Sequence, residues 1–409
     1  MRVQTMRTVD YFVGIPLCWC ASLLQRVLNL FHSVHDTPPQ HVLFIELSEM
    51  GSTILAEPAM QKLQHATGAT LYFLIFARCQ DSLKLLHTIP EHRVCTLRDT
   101  NVWTLAVDVV RYVLWTRRHG IDTVIDLELF SRFTALLTFL AGAPHRVGFY
   151  AYHHEGLYRG TLLTHQVSYN PHIHIAKNFL ALVAALLSAT REVPYTKISI
   201  RDDDIRIRQR QFTLAEQQHM HTRLRHYYPA YHPDDHDLVL INPNASEFLP
   251  QRRWMPDNYV ALIQQILRQH PRVLIVITGS PSERDEAEVM TQHVAHERCI
   301  NFAGAVPLIE LPVLYSISQC MITNDSGPAH FASITAMPTF VFFGPETPAL
   351  YGPLGHTTPI YAGLACSPCV AATNHRKTPC RDNVCLQVID PAQVYALVKP
   401  TLDRRGVHA

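Results

Sequence analysis

The sequence predicts an α/β chain of two tandem, doubly wound domains, and three observations lead there. The chain has 409 residues, which exceeds one ordinary hydrophobic core and suits two. Short apolar runs rich in β-formers alternate with helical patterns, as in open parallel sheets. A polar stretch, 201–237, interrupts that alternation, which then restarts. The expected organisation is an apolar segment 1–40, a first domain 41–200, a polar linker and helix 201–237, and a second domain 238–409.

After Pro38-Pro39, His41 to Leu47 reads as a strand, followed by the loop Ser48-Glu49-Met50-Gly51-Ser52 and a helix through Leu63 with Pro58 near its start. Further strands are expected at 69–77, 93–97, 122–127 and 146–149. Between them, 101–119 and 133–141 carry apolar residues at three- and four-residue spacing and are read as helices. In the second half, 238–241, 273–278, 321–323 and 339–343 are apolar and β-rich, and a helix is expected over 257–270. Each of these strands runs into a loop bearing Asn, Gly, Ser or Asp. Ligands of such sheets bind outside the carboxyl ends of the strands, and a cleft between the domains is the expected active site.

Composition narrows the function. Hydrophobic residues make up 47% and charged residues 17%, as expected for a globular chain with buried sheets. Thirty-five Lys and Arg face 34 Asp and Glu, so no global field draws the chain to nucleic acid. The 25 His are scattered, and most are read as surface or packing residues. Ten Cys in a chain of this length do not suggest a secreted disulfide framework, and a reducing cytoplasm fits better. Tyr11 to Phe31 is largely apolar but is broken by Gln25, Arg26 and Asn29, unlike the nearly uninterrupted span of about 20 residues a membrane helix needs. Ala21-Ser22 within the run is a poor signal-cleavage site. From Leu17 onward the segment forms a helix with one apolar face. Two readings stay open, a helix lying on the inner-membrane surface and a helix packed on the protein itself.

Four loops in the second half carry the candidate chemistry. In Thr323-Asn324-Asp325-Ser326-Gly327-Pro328-Ala329-His330 a strand gives way to a helix. Ser326 suits the cap and Pro328 the first turn. Gly327 permits close approach, and free N–H groups with the helix dipole favour an anion within reach of His330. An ordinary strand-to-helix turn explains the same residues. Asn242-Pro243-Asn244-Ala245-Ser246 followed by Arg252-Arg253 offers small polar groups and a basic pair suited to a diphosphate. It equally reads as a solvated basic turn. Glu283, in Thr278-Gly279-Ser280-Pro281-Ser282-Glu283, can accept from ribose hydroxyls or simply sit at a helix N-terminus. Phe343-Gly344-Pro345-Glu346-Thr347-Pro348 either lines a sugar site or turns the chain. All four follow successive strands of one domain, and that convergence favours a ligand site.

These residues also carry a resemblance. Asp325 to His330, Phe343-Gly344-Pro345 and Tyr351-Gly352-Pro353 resemble the signature of the family 9 heptosyltransferases, which build lipopolysaccharide. Asn242 to Ser246 with Arg253-Trp254-Met255-Pro256 is similar to that family's upstream motif, and Leu43 to Met60 to its first strand, loop and helix. The resemblance implies a GT-B fold of two Rossmann-like domains, with the acceptor mainly on the first and the nucleotide sugar on the second. It implies that Ser246 and Arg252 hold phosphates, Glu283 the ribose, and Asp325, Ser326 and Gly327 the diphosphate sugar. It further implies a nucleotide-diphosphate donor, ADP-heptose as first guess, and a saccharide or lipid-linked saccharide acceptor of lipopolysaccharide type, with no other cofactor.

One departure bears on catalysis. The family has Gly-Asp in the first loop, its Asp being taken as the base, whereas this chain has Gly51-Ser52. A serine hydroxyl cannot accept a proton near neutral pH without a base of its own. Glu49 in the same loop is the first replacement and Glu128, past a later strand end, the second, while Glu46 lies back in its strand. A nucleotide-sugar epimerase of the same architecture and a non-catalytic nucleotide-sugar-binding homologue stay open. A dinucleotide oxidoreductase fits less well, since the first loop lacks G-x-G-x-x-G. Finally, Cys366, Cys369, Cys380 and Cys385 fall within twenty residues. They are read as a structural metal cluster, disulfides or free thiols, with no metal implied for the chemistry.

Overall fold

The computed structural model describes residues 3–30, 38–150, 158–189, 197–245, 249–371 and 377–404. The chain forms two compact units, Met1–Ile205 and Arg206–Ala409.

The first unit is built on β1 (His41–Ile45), β2 (Thr70–Phe76), β3 (Val94–Leu97), β4 (Thr123–Asp126), β5 (His145–Tyr150) and β6 (His165–Ser168). They lie in the order β3-β2-β1-β4-β5-β6, all parallel. The second unit repeats the plan with β7 (Asp237–Asn242), β8 (Val273–Ile277), β9 (Cys299–Asn301), β10 (Cys320–Asn324), β11 (Thr339–Phe343) and β12 (Thr357–Tyr361). Their order is β12-β11-β10-β7-β8-β9, again parallel. In each unit the order reverses beside the first strand, between β1 and β4 and between β7 and β10. The loops leaving those strands diverge there and open a crevice.

The central strands are continuous apolar runs because helices cover both faces. Val42, Leu43, Phe44 and Ile45 of β1 are fully buried, as are Leu274 to Ile277 of β8. In the first unit Leu43, Ile45, Tyr72 and Leu74 pack with Tyr112, Leu137 and Ala141 from two helices. In the second, Ile241, Ile275 and Ile322 pack with Trp254, Ile263 and Leu386.

One detail differs from the sequence expectation and two refine it. The first helix is two, Met50–Leu55 and Glu57–Thr67. Pro58 sits in the first turn of the second piece, where its ring is tolerated but cannot continue a preceding ladder. The polar stretch contains a defined helix, Leu214–Tyr227, opened by a capping box of Thr213 and Glu216 and counted within the second unit. At the N-terminus, the helix Gly14–Asn29 packs against the helix Arg132–Leu140, with Cys18 buried beside Ala135 and Leu162. Ser22 Oγ accepts from Thr161 N–H at 2.8 Å, and Asp10 pairs with Arg132 at 3.2 Å. No helix among the described residues is long and apolar enough to cross a membrane.

Candidate functional site

In the first unit, the β1–β4 crevice gathers carboxylates. Glu128, just beyond β4, accepts from Leu47 N–H at 3.0 Å and Ser48 Oγ at 3.4 Å, which ties the β1 loop to the β4 loop. Glu46 accepts from Glu49 N–H at 3.3 Å. Ser52 Oγ donates to Glu49 Oε2 at 3.0 Å. Position 52 therefore holds a hydroxyl hydrogen-bonded to the carboxylate of Glu49, where the resemblance implies an Asp. Gly51 lies in the first turn of Met50–Leu55. Burial, then the Glu49 carboxylate, push Glu128 up to about 7, against the Leu47 N–H that favours its charged form. A carboxyl that titrates near neutrality thus stands beside the Glu49 carboxyl, and neighbouring carboxyls held in different environments are what acid–base pairs are made from.

Asp126 supports this crevice from below. It is fully buried, ion-paired with Arg159, and accepts from Thr134 Oγ at 2.9 Å and Glu128 N–H at 3.1 Å. Arg159 donates onward to the carbonyls of Ser131 and Phe149, each at 2.9 Å. Burial outweighs the Arg159 charge and raises the Asp126 carboxyl.

In the second unit, the β7–β10 crevice is organised by Asn324 at the end of β10. Its side-chain oxygen accepts from Trp254 N–H at 3.0 Å and Tyr259 O–H at 3.2 Å, while its amide donates to Pro243 O at 2.6 Å. One fully buried side chain thus locks the loop after β7, the helix Pro256–Gln269 and the loop after β10 together. Arg253 clamps the β7 loop by donating to Ala245 O at 3.0 Å and pairs with Glu286 at 3.4 Å. Arg252 stands between two buried carboxylates, Asp325 at 3.5 Å and Glu346, with which it forms an ion pair. The two carboxylates thereby hold the Arg252 guanidinium in place.

The remaining candidates fall as follows. Ser326 precedes the helix Gly327–Ala332 but does not cap it; its hydroxyl donates to Asn324 O at 3.2 Å. The expectation of a serine cap is corrected: that short bond turns the hydroxyl back toward the strand. A Cβ at Gly327 would meet the Phe331 ring at 3.1 Å, so the glycine allows the turn to pack tightly. His330 is buried in the first turn of that helix. Asn244 is buried, and its amide Nδ2 has no hydrogen-bond partner among the described residues. Such an orphaned donor in the β7 loop suits a ligand oxygen. Glu283 closes a capping box with Ser280, accepting from its N–H at 2.6 Å, so one carboxylate oxygen is already engaged. Ser246 lies outside the described residues.

The four cysteines are all thiols, Cys366 exposed and Cys385 buried. Burial chiefly, and the other three thiols, raise Cys385. No group of three or more His, Cys, Asp or Glu side chains is arranged for a metal among the described residues. The segment instead props the site from behind. Cys369 and Val370 N–H donate to Pro345 O, each at 3.0 Å, and Asn383 donates to the Gln251 and Arg253 carbonyls, each at 3.2 Å.

Glu346, Asn324 and the Asp126–Arg159 pair were not singled out from the sequence. Glu346 had a signal, a glutamate between two prolines after a buried strand; Asn324 had only its place before Asp325.

Comparison with known proteins agrees with this geometry. Residues 116–378 match the model of glycosyltransferase family 9 (heptosyltransferase). Lipopolysaccharide heptosyltransferase 2 of Escherichia coli K12 is 23% identical over 232 residues, an alignment covering 54% of this chain and 60% of that protein. Lipooligosaccharide heptosyltransferase 2 of Haemophilus influenzae is 29% identical over 113 residues, 27% of this chain and 32% of that one. By fold, the E. coli ADP-heptose lipopolysaccharide heptosyltransferase II superposes with a TM-score of 0.67 at 19% identity, covering 89% of this chain and 98% of that one. A family 9 glycosyl transferase from Veillonella parvula gives 0.68 at 18%, covering 90% and 99%. These likenesses give the GT-B fold, and with a match over more than half its length the chain belongs to glycosyltransferase family 9, the heptosyltransferase family.

Proposed function

We propose that the chain transfers a heptose from ADP-heptose to a hydroxyl of a lipopolysaccharide-type, lipid-linked saccharide. The observation that carries this reading is the second unit's switch-point site. There Asn324 locks the two crevice loops, Arg252 is fixed by Asp325 and Glu346, and the Asn244 amide has no partner among the described residues. The match to family 9 supports the donor, as do the names of its members.

In this reading Ser246, Arg252 and Arg253 hold the diphosphate, with Asp325 and Glu346 orienting the Arg252 guanidinium. The Glu283 oxygen left outside its capping box takes the ribose, and Ser326, Gly327 and His330 line the sugar diphosphate. Glu49 is the base. It takes the proton of the acceptor hydroxyl as that oxygen bonds to the anomeric carbon, and the bond from that carbon to the diphosphate breaks, so ADP leaves with the electron pair. Ser52 orients Glu49, and Glu128 holds the loop and stands as second candidate for the base. Positive groups and backbone N–H donors stabilise the departing charge. The reading assigns no cofactor beyond the donor. It places the enzyme in the cytoplasm, in peripheral contact with the inner membrane through the apolar helix Gly14–Asn29.

Thermal shift tests the donor site, because a ligand that binds only the folded state raises its melting temperature. ADP-heptose should stabilise the wild type more than UDP-sugars do, and Asp325→Ala should lose the shift while keeping its circular dichroism. A wild-type shift in Asp325→Ala would remove the donor assignment.

A further inference from the structure

The helix Val102–Arg118 exposes an apolar stripe. Trp103, Val107, Val110 and Leu114 recur at helical spacing, and all four are more than half open, Trp103 at 83% and Leu114 at 66%. The opposite face is buried through Asp108, Tyr112 and Thr116, so the stripe is not a core face awaiting its sheet. The only charges on its open surface are basic. Arg111, Arg117 and Arg118 are exposed, whereas the helix's single acid, Asp108, is buried and paired with Arg98 and Arg111.

This helix and the apolar helix Gly14–Asn29 pack on the same element, Arg132–Leu140. Tyr112 O–H donates to Leu137 O at 3.1 Å and Arg117 Nη2 to Leu140 O at 3.2 Å. From Gly14–Asn29, Cys18 and Ala21 pack against Ala135 and Phe139. Gly14–Asn29 likewise exposes Leu17, Trp19, Leu24 and Val27, and its sequence holds Arg26 and no acid.

We propose that Val102–Arg118 is a second membrane-docking helix, which together with Gly14–Asn29 seats the first unit on an anionic bilayer surface. The inference rests on the peripheral-membrane reading above and adds the helix that would fix the orientation. Exposed aromatic and aliphatic side chains bordered by arginine without exposed acid are what an interfacial helix on anionic lipid requires. A second copy of the chain is the poorer occupant. The same helix of a second copy offers these arginines no exposed acid to pair with. The stripe spans twelve residues, Trp103 to Leu114, roughly 16 Å of helix, too little for a stable interface of about 800 Å² per partner.

The test is flotation of the full-length protein with vesicles of equal parts phosphatidylglycerol and phosphatidylethanolamine, against phosphatidylcholine vesicles. Wild type should float with the anionic vesicles, and added salt should release part of it by screening the arginines. Val107→Ser/Leu114→Ser, at exposed positions, should keep the wild-type circular dichroism and bind about ten-fold or more weakly. In a Trp19→Phe background, Trp103 emission should shift to the blue on vesicles and be quenched by brominated lipid. If Leu24→Ser/Val27→Ser abolishes binding while the Val107/Leu114 variant binds like wild type and Trp103 stays unquenched, the second helix is refuted and the peripheral reading survives. If wild type floats with neither vesicle, both fail. A Val107/Leu114 variant that changes the oligomeric state in light scattering but not flotation would assign the stripe to a second copy.

Discussion

Replacing Glu128 with Gln should make the protein more stable at pH 8 than wild type and leave it equally stable near pH 4. The fold raises Glu128 from 4.5 to about 7. Between those values the folded state holds a proton that the unfolded chain has lost, so wild-type stability falls as pH rises through that window and levels off above it. A rise of that size corresponds to about 3 kcal/mol of discrimination against the charged form. Glu128 is partly open to solvent, which screens some of this and leaves about 2 kcal/mol. Glutamine keeps an acceptor for the Leu47 N–H and mimics the neutral carboxyl. Urea unfolding at several pH values measures the difference between variant and wild type, with contributions from groups remote from Glu128 cancelling. Tryptophan fluorescence reports mainly the first unit, since Trp19, Trp103 and Trp115 lie there and only Trp254 in the second. The difference should grow from near zero at pH 4 to about 2 kcal/mol at pH 8. Glu49→Gln, which removes the neighbouring carboxylate, should pull the upper end of the window down. A difference that is flat across pH, or that favours wild type at pH 8, would refute the reasoning.

Three further outcomes follow from the same contacts. Asn324→Ala strands a buried N–H, a buried hydroxyl and a buried carbonyl, and should cost the second unit about 3 kcal/mol or more in urea unfolding. Arg159→Met leaves Asp126 buried without its counter-charge and should cost the first unit about 3–5 kcal/mol, with part regained when Asp126→Asn is added. Glu49→Gln should lower turnover by about two to four powers of ten with donor affinity little changed; a larger loss in Glu128→Gln would move the base to the β4 loop. In Ser52→Asp, a gain of activity would mean that position 52 can still seat a base, and no gain would leave the loop built around Glu49.

The fold was legible where chemistry is local and repetitive. β1 and β8 read as strands because residues buried on both faces must all be apolar, and the helix Pro256–Gln269 shows its buried face at helical spacing. β6, β9 and β12 did not read. His165–Ser168 is half polar, Cys299–Asn301 has three residues, and Thr357–Tyr361 is an edge strand interrupted by Pro359. The loops around Asp325 and Arg252 were visible as turn chemistry at strand ends, but what binds what inside them was not. Arg252 reaches Glu346 across 94 positions and Asn324 reaches Trp254 across 70. Nothing in the sequence shows that Asp325 and Glu346 orient the Arg252 guanidinium. Glu283 shows the converse. Its helix-terminal reading came from the same few residues that form the capping box, and the structure contains that box.

The most direct test of the central claim is mass spectrometry of a heptose-deficient lipopolysaccharide core acceptor incubated with the protein and ADP-heptose. The expected result is an acceptor heavier by one heptose, with ADP released in equal amount and none of either product from Asp325→Ala. An acceptor of unchanged mass under conditions where ADP-heptose stabilises the protein would contradict the claim and leave a chain that binds the donor without transferring its sugar.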